Sequence, residues 1–382
     1  MTGQIIAIDV RAAELGDKSP RQGVQDLVRP RIYGRLAEEG CSKDVAYLVL
    51  HPAVNFMHHY LIEPLQARGK AVLGLNTRYV NNDSTLLVER VIQDIGAGVK
   101  FLRERGYKRV VYIGNSGGGS VGTLYQSQAE NLTIETTPDG LSIDLYNEDL
   151  PPVDAIVLAS CHIGRGRHFG MSLDPSVIDE RDLTRTDPDL DMFNPKNGPP
   201  YEKEWLARYA AAQRARHQRI TDWALARLRE IDAMPDEAGI TDEAFLIHRT
   251  YARPQVLDPT IDPNDRPVAS SIWGGAKATN YSASILGRFT TLRSYLSQWS
   301  LLGHAADGPA RLAETSVPVI NIRFSADEGT YPSLSQEYTD AARGRCDEYT
   351  LKGARHFPYK QENGPEIIAD LADTIAEWGN RS

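Results

Sequence analysis

The chain has 382 residues, of which 41% are hydrophobic and 24% charged, enough to bury one large core or a core with an inserted second one. The net charge of −9 provides no basic surface for nucleic acid or for an anionic membrane, so we expect neither partner. Three cysteines without a C-x-x-C pair indicate neither a disulfide framework nor a zinc site. The start of the chain lacks the pattern of a signal peptide and no apolar run is long enough to span a bilayer, which predicts a cytoplasmic protein.

Strand and helix patterns alternate through the first third of the chain. Continuous apolar runs predict buried strands at residues 45–50 and 71–75, with a helix between them that ends at about Arg68. Residues 82–84 are predicted to cap a second helix, whose apolar positions continue to Leu102 and which Gly106 ends. Repeated units of this kind predict an α/β protein, with a mostly parallel sheet and helices on both faces.

The next predicted strand, residues 109–113, runs into a glycine-rich turn and then a helix. Ser116 stands at the apex of a G-x-S-x-G sequence, in which small neighbours leave the serine hydroxyl exposed. The turn has no P-loop lysine and does not match G-x-G-x-x-G, so phosphate binding is disfavoured. The pattern predicts a nucleophilic serine, and a plain structural turn is the alternative.

A long insertion separates the last predicted strands. Strands are predicted at 154–160 and 317–322 and a closing helix at 365–378, whereas residues 162–316 do not follow the alternation. We therefore expect a core domain from residues 1–161 and 317–382 and a mainly helical cap, residues 162–316, inserted after the sixth strand. The basic stripe on the predicted helix at 202–231 is interpreted as a solvated face rather than an anion site. The cap carries four tryptophans, which form its own small core or line a pocket for a bulky substrate: Trp205, Trp223, Trp273 and Trp299.

A nucleophilic serine requires a histidine base and an acid that orients it. Asp327 and Glu328 follow the strand at 317–322, and Asp327 is the better candidate for the acid. His356 lies in a loop between a short strand at 349–351 and the closing helix. The order Ser116, Asp327, His356 is the chain order expected of this architecture.

Taken together, these motifs resemble those of the α/β-hydrolase fold superfamily of serine hydrolases, in particular esterases with a large cap. The segment from Ser325 to Pro332 is similar to the family's acid loop, and Gly353 to Pro358 is similar to its histidine loop. The resemblance implies an α/β-hydrolase fold with a catalytic triad.

The oxyanion hole is expected to use backbone N–H groups, one of them from Gly117, directly after the nucleophile. The second donor is expected in the loop after residues 45–50. The family often has His-Gly there, but this chain has His51-Pro52, and proline has no N–H. Ala53 is therefore the predicted second donor, with Val54 as the alternative.

The predicted function is cleavage of a carboxylic ester, lactone or thioester of a bulky apolar or aromatic small molecule through an acyl-enzyme. Carbon–carbon bond hydrolysis, amidase or peptidase activity and a non-catalytic receptor role stay open, because the same scaffold supports all of them. We predict no cofactor and no metal, since the histidines show no metal-binding spacing. A homo-oligomer also stays open.

Overall fold

The computed structural model describes residues 3–10, 31–146, 148–285, 287–302 and 304–381. Residues 11–30 of the predicted core segment lie outside the described residues. The elements up to the insertion are β1 (Gln4–Asp9), β2 (Arg31–Ala37), β3 (Val45–His51), α1 (Ile62–Gln66), β4 (Ala71–Asn76), α2 (Val88–Glu104), β5 (Arg109–Ser116), α3 (Gly118–Glu130) and β6 (Ala155–Cys161).

The insertion between β6 and β11 carries α4 (Arg165–Gly170), α5 (Lys203–Asp232), β7 (Ala244–Leu246), β8 (Ser270–Ser271), β9 (Gly274–Gly275), α6 (Ala276–Tyr281), β10 (Phe289–Thr291), α7 (Leu292–Gln298) and α8 (Gly308–Leu312). The chain then returns to the core with β11 (Val319–Phe324), α9 (Pro332–Ala341), β12 (Cys346–Leu351) and α10 (Gly364–Arg381). Of these elements, β7 pairs with β10 and β8 with β9 in two small sheets.

One eight-stranded sheet forms the centre of the described structure, in the order β1-β2-β4-β3-β5-β6-β11-β12. β2 runs antiparallel to both β1 and β4, and the other neighbours are parallel. The predicted α/β class, with a mostly parallel sheet flanked by helices, is therefore confirmed. Parallel strands place their carboxyl ends at the same edge, and β5, β6 and β11 all end there.

Two apolar layers cover the faces of this sheet. Successive residues of β3 pack in opposite layers. Leu48 belongs to one layer and Val49 to the other, and both are fully buried. The apolar face of α2 packs on the first layer and that of α10, including Trp378, on the second. Full burial of each such side chain contributes about 1.5–3 kcal/mol, so the strands at the centre are the best anchored part of the chain.

The start of α2 differs from the sequence prediction. Residues 82–84 form a turn rather than a helix cap, and α2 begins at Val88, whose preceding residue makes no side-chain capping bond. The Val88 N–H donates instead to Ser297 Oγ of α7, at 2.9 Å. A partner from the insertion thus satisfies a helix end that local sequence leaves unpaired, and the predicted cap at 82–84 was wrong.

The insertion is tied to the core by buried polar contacts. Ser297 Oγ also donates to the carboxyl of Glu89, on α2, at 2.7 Å. Arg293 of α7 forms an ion pair with Asp139, and both side chains are only 2% exposed. The insertion and the core are therefore joined by a buried interface rather than a solvated one.

Within the part of the chain that the structure describes, no helix is long and apolar enough to cross a bilayer.

Candidate active site

Ser116 lies at a sharp turn between β5 and α3, with a positive φ of 53°. Glycines make this bend possible: a Cβ on Gly114 would lie 2.5 Å from the Gly119 Cα, and one on Gly118 would collide with the Leu50 carbonyl oxygen. A non-glycine residue rarely adopts a positive φ, and such strain is characteristic of functional turns. The turn projects the Ser116 hydroxyl at the carboxyl edge of the sheet.

The predicted base lies beside this serine, and the predicted acid lies beside the base. His356 Nε2 lies 3.1 Å from Ser116 Oγ, and His356 Nδ1 lies 3.0 Å from Asp327 Oδ2. Asp327 is fully buried, and its other oxygen accepts the N–H groups of Gly329 and Thr330 at 2.6 and 3.0 Å. The structure thus brings Ser116, His356 and Asp327 into one hydrogen-bonded chain with the geometry of a nucleophile, base and orienting acid.

The electrostatics of this chain suit general base catalysis. Burial opposes ionisation of Asp327, but the charge and hydrogen bond of His356 outweigh it and lower the pKa of the carboxyl below 3.8. Burial also opposes protonation of His356, but the charge and hydrogen bond of Asp327 raise the pKa of the imidazole above 6.5. The imidazole is therefore a stronger base than a free histidine.

Ser160 is a supporting residue that the sequence analysis did not single out. It lies near the end of β6 with a positive φ of 49°, and its hydroxyl donates to Asp327 Oδ2. The same hydroxyl oxygen lies 3.1 Å from His356 Nδ1. The only signal available in the sequence was its position at the end of a predicted strand, next to the strand that carries the acid.

Glu328, the alternative acid, has a different role in the structure. Its carboxylate accepts from the guanidinium of Arg355, with Nε at 2.7 Å, and from the backbone N–H of His356 at 3.2 Å. These contacts hold the loop of His356 rather than its ring. The geometry favours Asp327 as the acid.

The imidazole of His51 lies beside the nucleophile turn. Its Nδ1 accepts the backbone N–H groups of Ala53 and Val54, at 3.2 and 3.0 Å. Burial, and then the charge of Arg165, holds the pKa of His51 well below 6.5, so the ring is neutral and its proton lies on Nε2. A Cβ on Gly117 would lie 2.8 Å from this Nε2. The predicted donor Ala53 therefore orients a histidine, and the histidine presents an N–H next to Gly117.

His162 lies beside Gly117 in a similar arrangement. Its Nδ1 accepts the Gly164 N–H at 3.2 Å, and burial lowers the pKa of the ring to about 3. Its Nε2 would lie 3.0 Å from a Cβ on Gly117. Two neutral imidazoles thus lie beside Gly117, and the sequence analysis gave neither of them a catalytic role.

A cavity of about 50 Å³ is lined by Ser116 and His356 together with residues of the insertion. The insertion contributes Arg165, His168, Phe169, Ser172, Thr250, Tyr251, Ile272, Trp273, Ile285 and Trp299 to its wall. The core supplies the reacting groups, whereas the insertion supplies most of the surface that a substrate would meet.

Three of the four tryptophans take one of the two predicted roles, whereas Trp223, which is 38% exposed, is part of neither the cavity wall nor an apolar core. Trp273 and Trp299 line the cavity. Trp205 stacks between the rings of Tyr201 and Tyr209 inside the insertion, with centroids 4.7 and 4.6 Å apart, and Trp223 packs on Phe245.

Comparison with known proteins identifies the fold. No protein-family model matches the sequence, and no curated protein is similar to it in sequence. Among solved structures, DcsB in complex with its substrate analogue matches with a TM-score of 0.52 and 12% identity, over 98% of this chain and 99% of that one. The α/β-hydrolase GrgF from Penicillium sp. sh18 matches with a TM-score of 0.51 and 9% identity, over 97% of each chain. The chain has the α/β-hydrolase fold, as the resemblance of its motifs implied.

Proposed function

We propose that this α/β-hydrolase fold protein is a serine hydrolase that cleaves carboxylic esters through an acyl-enzyme. The observation that carries the proposal is the hydrogen-bonded chain from Ser116 Oγ through His356 to the buried Asp327. A fold shared with other proteins does not define an activity, so the argument depends on this site.

In the proposed reaction Ser116 Oγ attacks the ester carbonyl carbon while His356 Nε2 accepts the hydroxyl proton. His356 then gives this proton to the departing alkoxide, and the C–O bond to the alcohol breaks. Water, activated by the same imidazole, releases the acid from Ser116. Asp327 accepts a hydrogen bond from His356 Nδ1, which keeps the imidazole in the required tautomer and stabilises the imidazolium.

The carbonyl oxygen becomes negative in each tetrahedral intermediate and needs donors. We assign the Gly117 N–H and the His51 Nε2–H to this role. The proximity of His51 Nε2 to the Gly117 backbone supports His51, and the hydrogen bond from the Ala53 N–H to the His51 ring argues against Ala53 as the direct donor.

The cavity supports a compact substrate group rather than the bulky one that the sequence suggested. Its volume of about 50 Å³ is well below the roughly 150 Å³ of an apolar cavity that binds benzene. We therefore propose that a short acyl chain or small alcohol group enters it, and that a large aromatic group would require the wall to move.

Intact-mass analysis after fluorophosphonate treatment tests the nucleophile without a choice of substrate. The native chain is expected to gain one adduct, and Ser116→Ala and His356→Ala are expected to gain none. Ser127→Ala is the matched control, because that serine is buried and donates to Leu124 within α3. A folded native chain that gains no adduct, or that gains it at another serine, would exclude this function.

A further inference from the structure

Three residues that line the cavity each have one buried polar side-chain atom without a hydrogen-bond partner among the described residues: Arg165 (Nη2), Trp299 (Nε1) and His168 (Nδ1). Nearly all buried polar groups of native proteins are paired, and an unpaired one reduces stability. All three belong to the insertion, and all three residues line the cavity that contains Ser116. Arg165 Nη2 and Trp299 Nε1 can only donate, so together they point to a ligand that accepts hydrogen bonds, whereas a neutral His168 ring can donate or accept.

The two terminal nitrogens of the Arg165 guanidinium differ: Nη1 is hydrogen-bonded, whereas Nη2 has no hydrogen-bond partner among the described residues. The residue is 4% exposed, and its Nη1 donates to Asp83 Oδ2 at 3.3 Å and to Gln298 Oε1. The guanidinium carbon lies 4.7 Å from the centroid of the Trp299 ring, a cation–π contact that helps to hold the group. The N–H groups of Nη2 are thus held in place by the rest of the side chain but have no acceptor among the described residues. A planar guanidinium in this state suits a carboxylate.

The charges of the wall favour an anion. Among the described residues that line the cavity there is no aspartate or glutamate. Burial lowers the pKa of His51, His162 and His168, so these rings are neutral rather than cationic. Arg165 is therefore the cationic residue of the wall, and Asp83, 3.3 Å from its Nη1, offsets part of this charge.

We propose that this cavity binds a carboxylate of the substrate through Arg165, Trp299 and His168, so that the enzyme prefers esters that carry an acid group, such as hemiesters of short dicarboxylic acids. The inference rests on the proposed hydrolysis at Ser116. Phe169 and Trp299 also line the cavity and provide apolar surface for a short chain between the ester and the carboxylate.

Three ethyl esters of matched length test this preference: monoethyl succinate, its neutral amide ethyl succinamate, and ethyl butanoate. Native enzyme is expected to hydrolyse the succinate hemiester with a kcat/KM about ten- to hundredfold above that of both neutral esters, the range for a charged hydrogen bond. Arg165→Met should abolish this preference and leave the neutral esters within a few-fold. Trp299→Phe removes one donor and keeps an aromatic ring, so it should reduce the preference by about fivefold.

Two controls separate the preference from folding and from catalysis. Arg219→Met removes a half-exposed arginine outside the cavity and should leave all three rates unchanged. Calorimetric titration of succinate into Ser116→Ala measures the carboxylate site without turnover, and binding should be lost when Arg165→Met is added. Equal rates for the three native reactions, or an equal loss for all three in Arg165→Met, would overturn the carboxylate site while the ester hydrolase stands. A native enzyme that hydrolyses no ester and gains no fluorophosphonate adduct would instead overturn the proposed function.

Discussion

The backbone N–H of Ala53 donates to Nδ1 of His51, at 3.2 Å, inside the loop that follows β3. This bond determines which nitrogen of the ring carries the proton, because an accepting Nδ1 leaves the hydrogen on Nε2. Pro52, which cannot donate, lies between the two residues. The loop therefore presents a side-chain N–H where the family resemblance predicted a backbone one.

His51→Phe is expected to lower kcat by about 10² to 10³-fold with little change in KM, since one oxyanion donor is lost. His51→Gln keeps a side-chain N–H and should recover part of this loss. Steady-state kinetics on a short-chain ester measure both. His248→Phe is the control, because His248 is a half-buried histidine of the insertion that does not line the cavity. Full activity in His51→Phe would contradict this role of His51 and would instead favour the backbone N–H of Ala53 as the second oxyanion donor.

The acid is assigned by comparing Asp327→Asn with Glu328→Gln. Asp327→Asn is expected to reduce kcat by about 10⁴-fold, because the amide no longer holds the required tautomer of His356. Glu328→Gln weakens the contact with Arg355 and should cost roughly tenfold or less. Burst kinetics of acylation measure both changes. The reverse ranking would transfer the role of the acid to Glu328.

The pH profile follows from His356. Asp327 raises the pKa of this imidazole above 6.5, and only the neutral ring accepts the serine proton. We expect kcat/KM to rise with pH through that raised pKa and then to level off. Asp327→Asn should shift the midpoint of the remaining activity to lower pH. An unshifted midpoint would mean that another group controls the profile.

Glu89 is expected to make stability depend on pH. Burial, opposed by the hydrogen bond from Ser297, raises the pKa of this carboxyl from 4.5 to about 7, and Asp139 adds a smaller repulsion. The folded state thus favours the protonated form, and stability falls as pH rises from about 4.5 to about 7.

Glu89→Gln removes this dependence and should stabilise the protein by about 3 kcal/mol at about pH 8, with no gain below about pH 4. Urea unfolding at several pH values measures the difference. Glu104→Gln, at the exposed end of the same helix, should change nothing. A parallel pH dependence of the native and Glu89→Gln proteins would contradict the shifted pKa.

Local patterns predicted the sheet and the proposed triad. The central strands are continuous apolar runs, and Ser116, Asp327 and His356 each follow a strand, so their approach depends on a topology that the alternation already indicates. The contacts of Ser160, His51 and Arg165 could not be predicted. Arg165, for example, bonds a residue 133 positions away in the sequence. Such pairings depend on how the insertion packs on the core, and the hydrophobic periodicity of the sequence does not predict that packing.

The hydrogen bond from Val88 to Ser297 and the buried pair of Arg293 with Asp139 bear on any attempt to shorten this protein. Removing residues 162–316 would take these partners from α2 and Asp139 and would expose to water the apolar core surface that the insertion now covers. The catalytic scaffold is thus not an autonomous folding unit that the insertion merely decorates. A truncated chain should be recovered as an aggregate, and the whole protein should unfold in a single cooperative transition.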